Sequence, residues 1–158
     1  MHFTTIFRKR PQAMAEIKGS ADYPDIRGNL YLYETGTGVL AVTEVFGLPK
    51  GNPPCDHPVF GFHIHEGESC TGTQDDPFAD AQMHLNPNEC PHPYHAGDLP
   101  PLFGNQGYAF SAVFTNRFTA DAVIGKTVII HAQPDDFSTQ PAGNSGMRIA
   151  CGEIRSGR

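Results

Sequence analysis

The chain lacks any apolar run near the ~18 residues that a membrane-spanning helix needs, so no such helix is expected. Basic residues are few. Eleven Lys and Arg stand against 17 Asp and Glu, for a formal charge of −6 and a pI near 5.7. That balance argues against nucleic acid and anionic membrane as partners. No internal repeat or low-complexity segment is present, which sets aside repeat architectures and compositionally biased tails. No continuous apolar stretch follows the basic residues of the first ten positions, so no secretory leader is expected. A cytoplasmic protein is the simplest expectation, or a periplasmic or secreted one if a leader was removed.

The 158 residues fit one domain, 1–158, and a hydrophobic fraction of 39% suffices for one core. Seventeen Gly and 14 Pro predict turns and ordered loops rather than long helices. Four cysteines leave the compartment open.

Apolar residues recur with period two in short runs. Strands are expected over 15–18, 29–34, 39–45, 59–64, 108–114, 126–131 and 147–154, with a short one near 82–85. Roughly eight strands separated by turn signals read as an all-β sandwich or barrel. Two long segments, 66–107 and 132–146, interrupt them. Long ordered loops in a small domain tend to carry function, and the sheets hold them in place.

Six of the eight histidines form one metal-ligand pattern. His63 and His65 are two apart on a strand and project from one face. His131 ends another strand. His84, His92, His95 and Asp98 follow at short spacing on a proline-rich loop. These seven residues exceed one tetrahedral ion, and they make two four-coordinate sites only if one residue serves both. Three nitrogens and a carboxylate (His84, His92, His95, Asp98) suit zinc. Four nitrogens (His63, His65, His84, His131) suit cupric copper. His2 and His57 read as ordinary histidines outside the pattern.

The stretches Gly61-Phe62-His63-Ile64-His65-Glu66 and Gly143-Asn144-Ser145-Gly146-Met147-Arg148-Ile149-Ala150-Cys151-Gly152 resemble the two signatures of the copper/zinc superoxide dismutases. The run from His84 to Asp98 matches that family's zinc loop in ligand order. The likeness spans roughly residues 39–154. It implies an eight-stranded Greek-key β-barrel with two functional loops, the zinc loop and the electrostatic loop. It implies copper on His63, His65, His84 and His131, and zinc on His84, His92, His95 and Asp98. It implies a Cys70–Cys151 disulfide, Arg148 as the arginine that guides the anion, and Asp135 behind one histidine of each metal. The implied reaction converts two superoxide anions to dioxygen and hydrogen peroxide, with copper changing valence and His84 bridging the metals. A non-catalytic copper/zinc-binding protein of the same fold is the alternative.

Several features depart from the family pattern. Cys55 and Cys90 are extra, and a second disulfide between them is the preferred expectation. Two free thiols, or Cys90 competing for zinc, are the other outcomes. The loop before Gly143 lacks a charged run, which leaves Lys126 and Arg117 as candidate substitutes for steering. Aromatics at Tyr31, Tyr33, Tyr108 and Phe110 lie either in the core or on the interface of a homodimer.

Overall fold

The computed structural model describes residues 9–157, so His2 lies outside the described residues. Alternation of buried and outward side chains builds the strands. β1 (Ala13–Gly19) buries Ala13, Ala15 and Ile17 and turns Glu16 and Lys18 to water. β2 (Arg27–Glu34) buries Leu30 and Leu32, and β3 (Val39–Phe46) buries Val39, Ala41 and Val45. The remaining strands are β4 (Val59–Phe60), β5 (Phe62–His65), β6 (Leu102–Phe103), β7 (Tyr108–Thr115), β8 (Thr127–His131), β9 (Arg148–Glu153) and β10 (Arg155–Ser156).

Every pairing is antiparallel, and the main sheet runs β5-β8-β9-β1-β2-β3-β7, with β10 also on β1. The sheet curls into a half-barrel, and β4 and β6 form a separate ribbon. β9, near the end of the chain, pairs with β1 near its start. β3 pairs with β7 across the long 47–107 segment. These long returns make the expected Greek-key arrangement. Helical structure among the described residues is limited to two short 3₁₀ turns, Ala79–Ala81 and Asp121–Val123.

The core gathers Ile17, Leu30, Leu32, Ile64, Leu102, Ile130, Ile149 and Ile154, all buried. Each contributes on the order of 1.5–3 kcal/mol through its apolar burial. β5 and β8 depart from simple alternation, because both of their faces are covered. Ile64, Val128 and Ile130 face the barrel core. Ile129 faces the other way, against Phe78, Ala81 and Cys151, where the long loop packs over the outside of the sheet. His63, His65 and His131 share that outer, loop-covered face by strand alternation.

The strand expected over 59–64 divides at Gly61. Its N–H donates to Gln133 O, and its carbonyl accepts from His131 N, both at 2.8 Å. A Cβ there would lie 2.8 Å from Ser145 Oγ, so the close pass of the second loop requires glycine. The short strand expected over 82–85 is not formed. Gln82 takes a φ of 62°, outside the extended region, and only an isolated bridge joins His65 to His84. β6 escaped notice because two residues give no periodicity. Phe110 is 56% exposed on β7, whereas Tyr31, Tyr33 and Tyr108 are half-buried; Tyr33 packs on the small buried cluster of Leu40 and Val42, and none of the four joins the main core.

Candidate metal centre

Seven ligand-type side chains converge beneath the two loops, all of them buried. His63, His65, His84 and His131 bring one atom each within 4.8 Å of one another, and so do His84, His92, His95 and Asp98. His84 belongs to both groups. The His63–His84 ring centroids are 3.9 Å apart and the His84–His95 centroids 5.5 Å.

The nitrogen that each histidine offers is decided by what holds its other nitrogen. His63 Nε2 donates to Asp135 Oδ2 at 2.7 Å, which leaves Nδ1 facing the group. His65 Nδ1 donates to Gln82 O at 2.8 Å and His131 Nδ1 to Gly146 O at 3.2 Å, so both offer Nε2. Those two Nε2 atoms lie 3.3 Å apart. Both carry lone pairs in these tautomers, so their contact is repulsive unless a cation lies between them. His92 Nε2 donates to Asp135 Oδ1 at 2.8 Å, which turns Nδ1 inward. That Nδ1 sits 3.1 Å from Asp98 Oδ2 without hydrogen-bond geometry.

Among the described residues, three buried side-chain nitrogens have no hydrogen-bond partner: His63 Nδ1, His84 Nε2 and His92 Nδ1. Such orphans are costly unless a ligand satisfies them. Every one is an inward-facing ring nitrogen of the two groups. The donor sets therefore fit two cations. Four imidazoles suit copper, and three imidazoles with a carboxylate suit zinc.

Burial prepares the histidines for metal by disfavouring their charged form. It holds His65 and His63 below the ordinary imidazole range and lowers His131 from 6.5 to about 3. His95 is lowered by the same cause. Burial pushes Asp98 up, but the hydrogen bond from His84 and the neighbouring imidazoles His84, His95 and His92 together hold it below the ordinary carboxylate value. Asp135 is held well below the usual carboxylate range by bonds from His63, Phe137 N and His92, which override burial. An imidazole with a depressed folded pKa binds protons preferentially when unfolded. The metal-free protein should therefore lose stability as pH falls from about 6.5 towards about 3. The carboxylates add a loss in the same direction below their unfolded range. Scanning calorimetry across that window should show the loss in metal-free protein and a smaller one in protein loaded with copper and zinc, where cations hold the nitrogens.

Arg148 begins β9 opposite His131. Its two terminal nitrogens donate to Phe78 O and Gln82 O, each at 2.6 Å. Gln82 O is also the acceptor for His65, so the arginine and a ligand of the four-histidine group share one carbonyl. The disulfide Cys70–Cys151 ties the loop that supplies these carbonyls to β9. Asp76 Oδ2 lies 3.8 Å from the guanidinium, at an open groove lined by Asp75, Asp76, Met147 and Arg148.

The second disulfide expected from sequence is not made: Cys55 and Cys90 are free thiols. Each lies in a loop closed on itself. Asn52 N donates to Asp56 Oδ2 and Asp56 N to Asn52 O around Cys55, and the Asn86 side chain brackets the Cys90 backbone. Neither thiol joins a ligand group. The two candidate steering cations each bond to backbone carbonyls. Lys126 Nζ donates to Glu66 O, and Arg117 donates to carbonyls of the zinc loop. Sequence reasoning missed Asp76, the Gln82 and Gly146 carbonyls, and Gln140. The Gln140 amide donates to His92 O at 2.7 Å and accepts from His92 N at 2.9 Å. Backbone carbonyls leave no residue signature, so only a fold brings them to notice.

The family model of copper/zinc superoxide dismutase matches residues 26–154. A copper/zinc superoxide dismutase of Aquifex aeolicus (strain VF5) is 32% identical over 146 residues, covering 83% of this chain and 80% of the relative. That of Deinococcus radiodurans is 35% identical over 137 residues, covering 75% and 71%. The solved structure of a double mutant of a SOD-like protein from Bacillus subtilis superposes with a TM-score of 0.72 at 28% identity, over 90% of this chain and 97% of that one. The fold and the paired ligand groups define a two-metal β-barrel protein. The chain belongs to the copper/zinc superoxide dismutase family.

Proposed function

We propose that the protein is a superoxide dismutase with His84 as the ligand common to copper and zinc. One observation carries this reading. His84 turns Nδ1 towards Asp98 and His95, at 2.8 and 3.4 Å, and leaves Nε2 buried and unpartnered in the other group. The overall change is two superoxide anions and two protons to dioxygen and hydrogen peroxide. Bound copper supplies the one-electron cycling, which zinc does not.

The chain's own residues position the substrate and its protons. His84 Nε2 is the atom that holds a proton for the peroxide-forming half. Asp135 fixes His63 and His92 together, so the two metal groups keep one relative orientation. Arg148 donates two of its five N–H groups to carbonyls, which fix the guanidinium as a positive charge for a small anion. Its positive charge at the mouth works against the net charge of −6.

Arg148→Ala should lower the second-order rate with superoxide by about tenfold or more at low ionic strength, at unchanged copper and zinc content. Asp76→Asn should raise that rate about two- to threefold, because it removes an opposing charge 3.8 Å from the guanidinium. Salt should erase the second effect first, as the Asp76 side chain is 44% exposed against 16% for Arg148. Pulse radiolysis from low to high salt measures both; equal rates in all three proteins would refute the arginine's role.

The function itself is tested on one metal-loaded sample by elemental analysis, cupric paramagnetic resonance and a dismutation assay. About one copper and one zinc per chain, nitrogen coupling at copper and fast dismutation are expected. Metals bound without dismutation would leave a non-catalytic copper/zinc-binding protein.

A further inference from the structure

We infer that Arg117 is a positioning residue for the zinc ligands, holding the 93–98 segment in ligand geometry before metal arrives. The inference rests on the assignment of zinc to His84, His92, His95 and Asp98. One guanidinium nitrogen of Arg117 donates to Pro93 O at 3.0 Å, His95 O at 3.3 Å and Asp98 O at 3.4 Å. Two of these carbonyls belong to zinc ligands themselves. The ligand side chains turn inward, where Asp98 Oδ2 accepts from His95 N at 3.0 Å and lies 3.1 Å from His92 Nδ1. The carbonyls turn to Arg117, so the segment is gripped on both sides.

The two sides differ in what anchors them. The inner contacts are among the ligands, which a cation must reorganise. Arg117 comes from the turn after β7, where its own N–H donates to Thr115 Oγ1 at 3.2 Å. β7 pairs with β3 along its whole length. The arginine therefore transmits the rigidity of the barrel to a loop that lacks strand structure of its own. Gln140 also grips this loop from the second loop, and Ile64 N of β5 donates to Gly97 O at 2.9 Å, so Arg117 adds three carbonyl contacts from the turn after β7 to a single backbone bond from β5. A segment already ordered loses less conformational entropy when it takes up a cation, so its affinity is higher and its release slower.

The test uses cobalt(II) as a visible-light reporter at the zinc group, in full-length protein with the disulfide intact. Arg117→Ala should release cobalt to a competing chelator about 10–100-fold faster than the native chain, the range typical for loss of a group that orients a ligand. Its d–d bands should broaden or shift, while copper affinity measured without zinc or cobalt stays native. Arg117→Lys should fall between the two, and it replaces the alanine variant should that one fail to fold. Native release rates and bands in the alanine variant, or in the lysine variant where it alone folds, would overturn the inference. Equal loss of copper and cobalt affinity would overturn it as well, since that marks general destabilisation. If the native chain itself binds no cobalt at these four residues, the zinc assignment fails instead, which separates the two outcomes.

Discussion

The His84→Ala protein should lose the integrity of both metal groups at once and retain at most about one hundredth of the native dismutation rate. An outer-shell partner typically contributes 10–100-fold, and His84 stands in direct contact with both groups. The substitution would leave His63, His65 and His131 on one side and His92, His95 and Asp98 on the other. Each remnant keeps three donors, so weakened binding is expected rather than none. Zinc content should fall, and the cupric resonance should change its nitrogen coupling in the same sample. His57→Ala supplies the control, because His57 is exposed, belongs to neither ligand group, and places its Nε2 2.9 Å from the nearby Pro54 carbonyl. A variant that lost zinc but kept a native cupric signal would break the shared-ligand reading. The fold itself should persist, since His84 lies outside the barrel core.

Removing the Cys70–Cys151 disulfide should have the largest effect on stability. The bond spans 81 residues. Chain entropy puts such a link at ~4–5 kcal/mol, an upper figure that residual structure in the unfolded chain reduces. For a chain of this size that corresponds to a fall of about 10–15 °C in Tm. The consequence should reach function too. The tied loop supplies Phe78 O and Gln82 O to Arg148, and Gln82 O to His65. Cys70 and Cys151 also pack with Phe78, Ala81 and Ile129 in a small second core. The Cys70→Ala/Cys151→Ala double variant should therefore melt lower and turn over superoxide more slowly at equal metal content. Calorimetry and a rate measurement on metal-matched samples check this. An unchanged Tm would mean that the loop's packing alone holds it.

Part of the barrel was legible as period-two alternation in the 15–18 and 29–34 runs, because a strand buried on one face writes its pairing into the chain, and 39–45 and 126–131 were legible by their β-branched and apolar residues. Where both faces are covered, as at β5 and β8, the alternation fades. The two-residue strands β4 and β6 leave too short a trace. The ligand histidines were legible because few other roles require imidazoles at those spacings on a strand and a loop. The contacts of Arg117 were not legible, since its sequence position says nothing of the three carbonyls it meets. The Cys55–Cys90 pairing failed for a related reason: each thiol is held in its own self-closed turn, which counting cysteines does not reveal.

What the chain determined by itself was its chemistry: the donor types, their order, and the alternation that sends His63 and His65 to one face. Those follow from side-chain identity and local backbone geometry, which act over a few residues. Tertiary structure alone decided which ring nitrogen each histidine offers, because Gln82 O, Gly146 O and Asp135 reach them from distant segments. It also decided that a carboxylate, Asp76, sits beside Arg148 and that Arg117 lies under the zinc loop. Hydrogen bonds and ion pairs act at about 3–4 Å, so residues far apart in sequence meet only once the sheet has closed.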